Sequence, residues 1–327
     1  MVYNRTNEEE VNRMKTRGFY RGVNLGGWLS QCDYSAGRIN GFITEKDIDT
    51  IASWGLDHVR IPVDHNVLED KNGALDGPGF AALDRALSWC EKRGLKAVID
   101  LHKTAGFSFD PGEREVGFFE NEAYQARFYR LWQAVARRFG GRADVAFELL
   151  NEVTDQSYID SWNRISRECI RAIRLIDPKV LILVGSYHNN SAAAVPALDP
   201  PADENTAYNF HCYDPLPFTH QGAPWVPSLD QSARPSFDSM DLPEDYFETR
   251  FAPALEAARK YGAPLYCSEY GVIDRARPEE ALKWFSRIHA AFEKFGIARA
   301  AWSYKQMDFG LSDTRLDGVR DELIRLL

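Results

Sequence analysis

An alternation of two kinds of segment narrows the fold more than any other feature of this chain. Short runs rich in β-branched and aromatic residues take turns with longer amphipathic runs, and no low-complexity linker interrupts them. Eight short runs read as strands, at 20–25, 58–63, 96–101, 145–150, 180–185, 207–212, 264–268 and 298–303. The gaps hold helical patterns with their own punctuation. Thr44-Glu45-Lys46-Asp47 offers a hydroxyl cap with an acid three positions on, and Gly55 stops the helix that follows. The later patterns stop at Gly94, Gly140-Gly141, Asp177-Pro178, Gly262 and Gly296.

Strands separated by helices or long loops pair in parallel, because parallel neighbours cannot be joined by hairpins. Eight such units point to a closed (β/α)8 TIM barrel in the α/β class. A doubly wound open sheet is the competing arrangement, but it needs a Gly-x-Gly-x-x-Gly turn after the first strand. Gly22-Val23-Asn24-Leu25-Gly26-Gly27 has the wrong spacing. The chain has 327 residues, whereas such a barrel uses about 250, so about 77 are surplus. We expect one domain over residues 1–327, with the surplus in enlarged βα loops at 28–43, 103–120, 186–205 and 214–245, the last being a large loop or small insertion.

The formal charge of -9 disfavours nucleic acid and anionic lipid as partners. No run of about 18 apolar residues is present, and residues 1–15 are polar and acidic without an apolar signal region. We therefore expect a soluble, cytoplasmic monomer with no membrane contact. Cys32, Cys90, Cys169, Cys212 and Cys267 are odd in number, widely spaced and without a Cys-x-x-Cys pair, and read as reduced thiols.

In a barrel of this kind chemistry sits where strands end, because the loops leaving their carboxyl ends build one open face. Polar or aromatic groups stand at seven of these ends: Asn24, Arg60, Asp100-Leu101-His102, Asn151-Glu152, His211-Cys212-Tyr213, Ser268-Glu269-Tyr270-Gly271 and Trp302-Ser303-Tyr304. Glu152 and Glu269 follow strands four and seven, which lie three apart around an eight-strand ring and so face each other across the mouth. Two facing carboxyls are what glycosidic cleavage needs, one protonated to donate to the leaving oxygen and one ionised to attack the anomeric carbon. Either glutamate alone reads equally well as a strand-end salt bridge.

Arg21-Gly22-Val23-Asn24-Leu25-Gly26-Gly27-Trp28, Val59-Arg60-Ile61-Pro62-Val63, Asp100-Leu101-His102, Leu149-Leu150-Asn151-Glu152, His211-Cys212-Tyr213, Ser268-Glu269-Tyr270-Gly271 and Ala301-Trp302-Ser303-Tyr304 resemble the signatures of glycoside hydrolase family 5, the cellulase family. Within it, Gly26-Gly27-Trp28-Leu29-Ser30-Gln31, Phe42-Ile43-Thr44-Glu45-Lys46-Asp47 and Tyr304-Lys305-Gln306-Met307-Asp308-Phe309 look most like the clostridial endoglucanase C type. The resemblance implies a retaining, endo-acting hydrolase of β-1,4 or mixed β-1,3-1,4 glucans and cello-oligosaccharides. It makes Glu152 the acid/base, Glu269 the nucleophile and Asn151 the holder of the sugar 2-hydroxyl. Arg60 and Tyr213 adjoin Glu269, His211 adjoins Glu152, His102 contacts sugar hydroxyls, and Trp302 is the floor on which a ring stacks. The chain departs from many relatives after His102, reading Lys103-Thr104-Ala105-Gly106 where they carry a second histidine and Pro-Gly. The stretch 214–245 is also shorter than the inserted subdomain of the endoglucanase C type.

Trp54, Trp89, Trp132, Trp162 and Trp284 fall in helical patterns and read as core, while Trp28, Trp225 and Trp302 lie where an aromatic face can meet a pyranose. His58, His65, His188, His220 and His289 carry no assigned role. A zinc hydrolase on this barrel would need a His-x-His after strand one, which is missing, so neither a metal nor a cofactor is expected. Lys305 and Asp308 are a pair that either lines the cleft or bridges the surface. A β-mannanase, β-1,3-glucanase or β-glucosidase shares the catalytic set, and a non-catalytic sugar-binding protein shares the fold.

Overall fold

The computed structural model describes residues 16–75, 77–110 and 116–327; the acidic stretch 1–15 and part of the 103–120 loop lie outside the described residues. Eight parallel strands close into a ring in sequence order. They are β1 (Arg21–Asn24), β2 (His58–Asp64), β3 (Lys96–Lys103), β4 (Val145–Glu148), β5 (Leu181–Val184), β6 (Thr206–Cys212), β7 (Leu265–Tyr270) and β8 (Ala298–Ala301), each within two residues of its expected bounds. The α-helices longer than one turn are α1 (Ala36–Gly41) and α2 (Glu45–Ser53) before β2, α3 (Gly79–Glu91), α4 (Glu122–Phe139), α5 (Ile159–Arg174), α6 (Tyr246–Tyr261), α7 (Pro278–Phe295) and, after β8, α8 (Arg320–Leu326). The crossover from β5 to β6 carries a 3-10 helix, Ala192–Ala197, where the others carry a full α-helix.

The two-residue period of each strand sorts side chains to opposite sides of the ring. Val98, Ala146, Leu181, Leu183, Ala207, Tyr266, Ala298 and Ala300 form a compact inner cluster, and a much larger cluster lies between the strands and the helices. Trp132, Trp162 and Trp284 are fully buried there, and Trp54 and Trp89 pack against it, as helical spacing leads one to expect. Gly22 on β1 leaves the space that His58 fills, since a Cβ at this position would stand 2.4 Å from the imidazole Nε2.

Local chemistry fixes the loops at the mouth. Asp64 at the end of β2 accepts hydrogen bonds from the Ser30 hydroxyl (2.8 Å), the Gln31 N–H (3.1 Å) and the Tyr34 hydroxyl (2.6 Å), which ties the β1 loop to β2. Asp47 accepts from both the N–H and the hydroxyl of Thr44 at the start of α2. It also takes the Lys305 ammonium at 2.9 Å, so Lys305 pairs across to α2 and not with Asp308. Among the described residues no helix is long and apolar enough to cross a membrane.

Candidate active site

The site grows from one buried cation. Arg60 is fully buried on β2, and its guanidinium donates from Nε and Nη2 to the two oxygens of Glu148 at 2.7 and 2.8 Å. Its Nη1 reaches Asn24 and Glu269 at 2.8 Å each, and its Nη2 reaches Asn151 at 2.7 Å. Asp100 stands 3.0 Å away. Burial works against the charge, but Asp100, Glu148 and Glu269 outweigh it and hold Arg60 well above its usual range. One guanidinium thus faces three carboxyls in a poorly solvated space, and burial pushes Glu148 and Asp100 upward, Asp100 to about 7.

Glu269 lies within β7 and is nearly buried. Its Oε1 takes the Arg60 contact, and its Oε2 accepts from the Tyr213 hydroxyl at 2.8 Å. A register shift between Phe210 and His211 sets His211 opposite Glu269 in the β6–β7 ladder, as β-bulges do where a side chain must be re-aimed. His211 Nδ1 then lies 2.8 Å from Oε1 of Glu152 and 3.7 Å from Glu269. Burial depresses His211 to about 4, so its imidazole is neutral at ordinary pH.

Glu152 stands four residues beyond the end of β4 and keeps 12% of its side chain exposed. Its Oε2 accepts from the Asn189 amide at 2.8 Å. Burial pushes its carboxyl above the ordinary range, against the pull of that hydrogen bond and of the Arg60 charge. One donor atom each of Glu152, His211 and Glu269 falls within a span of 4.8 Å. An ion placed among them would sit beside the Arg60 guanidinium and displace hydrogen bonds already made.

His102 Nδ1 pairs with Asp100 Oδ2 at 2.6 Å, and burial depresses this histidine to about 4 as well. Its ring lies parallel to Trp302 at 5.8 Å between centroids. Trp302 retains 7% exposure beside the β1 loop. Gly26 permits that approach, because a Cβ there would stand 2.8 Å from the indole. Lys103, the departure noted in the sequence, pairs with Asp110, which also accepts from Gln31 at 3.2 Å.

One sequence expectation changes. Trp28 offers no face to a sugar: it is fully buried, and its indole N–H donates to the Ile39 carbonyl at 3.0 Å, pinning α1 to the β1 loop. Asn24 also has no exposed surface. Its amide donates to the Ser268, Ala300 and Ala301 carbonyls while its oxygen receives Arg60, so it braces the arginine from below. Trp225 is 40% exposed beyond the His220 and Tyr213 rings. Sequence reasoning assigned nothing to Glu148, Asp100 or Asn189. Asp100 had a signal, being two residues before His102 and so on its face of the strand.

The family model of cellulase, glycosyl hydrolase family 5, matches residues 12–308. Cellodextrinase A of Ruminococcus flavefaciens is 53% identical over 88% of this chain and 85% of its own length. Endoglucanase C of Acetivibrio thermocellus is 35% identical over 94% of this chain and 98% of its own length. The crystal structure of an endoglucanase from the hyperthermophilic Thermotoga maritima superposes with a TM-score of 0.81 at 26% identity, over 98% of this chain and 99% of that one.

Proposed function

The chain belongs to glycosyl hydrolase family 5 and is a glycoside hydrolase of the endoglucanase and cellodextrinase type, and from that premise we propose that it cleaves β-1,4 or mixed β-1,3-1,4 glucans and cello-oligosaccharides with retention of configuration. The observation that carries the reading is the spacing of the two carboxylates. One carboxyl oxygen of Glu152 and one of Glu269 lie within 4.8 Å of each other, which is compatible with the separation of about 5–5.5 Å used for double displacement.

In the first half of the reaction Glu152 gives its proton to the glycosidic oxygen as the C1–O bond breaks and the Glu269 carboxylate bonds to C1. In the second, Glu152 takes a proton from water as the water oxygen bonds to C1 and Glu269 leaves. The environments suit these roles. Burial raises Glu152 above the ordinary carboxyl range, the direction an acid requires, while Glu269 is held by a fixed cation and a phenol. Asn151, oriented through Arg60, takes the sugar 2-hydroxyl, and Trp302 with His102 forms the floor and wall for the reacting ring. Trp225 offers a stacking face beyond the Tyr213 and His220 rings.

The 53% identity to a cellodextrinase favours short cello-oligosaccharides among the substrates, and residues 28–43, 103–110, 116–120, 186–205 and 214–245 build the walls that set the length accepted. We take the whole of residues 1–327 as one catalytic domain. The test is chemical rescue. Glu269→Ala should lose turnover on barley β-glucan and cello-oligosaccharides, and azide should restore cleavage with an inverted glycosyl azide as product. Rescue at Glu152→Ala only would reverse the assignment, and an inactive native protein across a polysaccharide panel would leave a sugar-binding role instead.

A further inference from the structure

The turn after β5 is built in an uncommon conformation. His188, Asn189 and Asn190 occur in succession with φ of 51°, 52° and 59°, the left-handed region that L-residues rarely enter and that asparagine and histidine enter more readily than most. Three neighbours hold it there. The Asn189 N–H donates to the Val153 carbonyl at 3.1 Å, just past Glu152. The Asn190 side chain folds back to accept from the Ser186 N–H at 3.1 Å, over Gly185, where a Cβ would stand 2.2 Å from its oxygen. Ser191 forms a bridge with His211. The turn is therefore anchored to both residues that flank the acid/base carboxyl, and its outcome is a single contact, Asn189 Nδ2 to Glu152 Oε2 at 2.8 Å. Strain held by several neighbours at a reactive group points to a role for the strained residue.

We propose that Asn189 is a positioning residue that clamps Oε2 of Glu152 in its ionised form and so serves the second half of the reaction, when this carboxylate accepts a proton from water. The inference rests on the acid/base reading of Glu152. An amide N–H donates well to a carboxylate oxygen and poorly to one that carries a proton, so the clamp favours the base over the acid. Glu152 is also faced by Arg60 from β2, by Asp100, His102 and Asp110 from β3 and its loop, by His211 and Tyr213 from β6 and just beyond it, and by Glu269 from β7. These groups stay in place when Asn189 is changed, which isolates its contribution.

Asn189→Gly and Asn189→Asp both tolerate the left-handed backbone and both remove the N–H donor. In each, the alkaline limb of kcat/KM should move up by about one pH unit, further in the aspartate variant because a second carboxylate is added. With an activated aryl cellobioside, whose first step is fast, kcat at neutral pH should fall while KM falls with it, as glycosyl-enzyme accumulates. His188→Gly, which relaxes the same turn without touching Glu152, should leave the limb in place. A limb that stays put in both Asn189 variants, or moves equally in His188→Gly, overturns the proposal while the hydrolase reading stands. A 13C NMR titration of the Glu152 carboxyl, assigned by its loss in Glu152→Gln, follows the same proton without turnover. There an upward move in Asn189→Asp supports the clamp and an unmoved resonance removes it, even were the native protein to hydrolyse nothing.

Discussion

Two fully buried arginines, Arg60 and Arg299, stand near opposite ends of the barrel. Arg60 lies inside the mouth among three carboxyls and two amides. Arg299, the second residue of β8, lies outside the ring near its base. There it pairs with Glu293 at 2.7 Å, donates to the Leu327 carbonyl at 2.9 Å and sits over the Tyr20 and Phe292 rings. Burial and charge are alike in the two; the balance of charge around them is not. Arg299 meets one carboxylate that is 33% exposed and can turn to water. Arg60 meets more negative charge than it can neutralise, and two of its three carboxyls, Asp100 and Glu148, are sealed in with it while Glu269 keeps 7% exposure. A buried ion becomes a functional centre when its neighbours are left over-supplied with charge that cannot turn to water, and remains structural when its partner can.

The largest effect should come from deleting each cation in turn. Arg60→Met leaves Glu148, Asp100 and Glu269 without their partner. We expect it to lose about 3–5 kcal/mol of stability in denaturant titration and to lose hydrolysis altogether. Arg299→Met should lose about 1–2 kcal/mol, because Glu293 can rehydrate, with kcat unchanged in whatever fraction is folded. Equal loss of activity in both variants would break the comparison.

The surplus of carboxyls at the mouth also predicts a pH dependence. Asp100 is raised to about 7 in the folded protein, far above its value of about 4 in an unfolded chain. Such a group contributes stability that is present in full below about pH 4 and is lost as the pH rises through about 7. The melting temperature should therefore be lower at pH 8 than at pH 6, and Asp100→Asn should flatten that fall. An unchanged slope in Asp100→Asn would move the surplus proton elsewhere in the cluster.

How far the sequence reveals this contrast follows from range. Strand positions, the two glutamates and Arg60 are legible because they depend on period and on strand ends, which are local. Tyr213 and His211 are legible for the same reason, being two apart at one strand end. What escapes is pairing across the ring. Glu148 reads as one more residue of an apolar run, and only closure of the barrel brings it to Arg60, 88 positions away. Asn189 escapes because its place depends on three successive left-handed residues, a conformation its neighbours impose and no periodicity announces. Trp28 misled in the opposite sense: it stands just past a strand end as Trp302 does, but α1 closes over it.

The two tryptophans extend the contrast between mouth and frame to its smallest effect. Trp225 is exposed beyond the site and Trp28 is sealed beneath the β1 loop. Trp225→Ala should raise KM for longer cello-oligosaccharides by roughly two- to tenfold, the worth of one aromatic stack, and leave the melting temperature within a degree or two. Trp28→Phe should do the reverse, losing about 1–2 kcal/mol through the space left and the unpaired Ile39 carbonyl, with KM unaltered for every chain length. Measured on a ladder of cello-oligosaccharides, the Trp225 effect should appear only once the substrate is long enough to reach that ring, and the length at which it appears fixes how far the sugar chain runs along the wall of the 214–245 loop. A Trp225 effect that is the same for the shortest substrate as for the longest would place the ring outside the sugar path and return it to the frame.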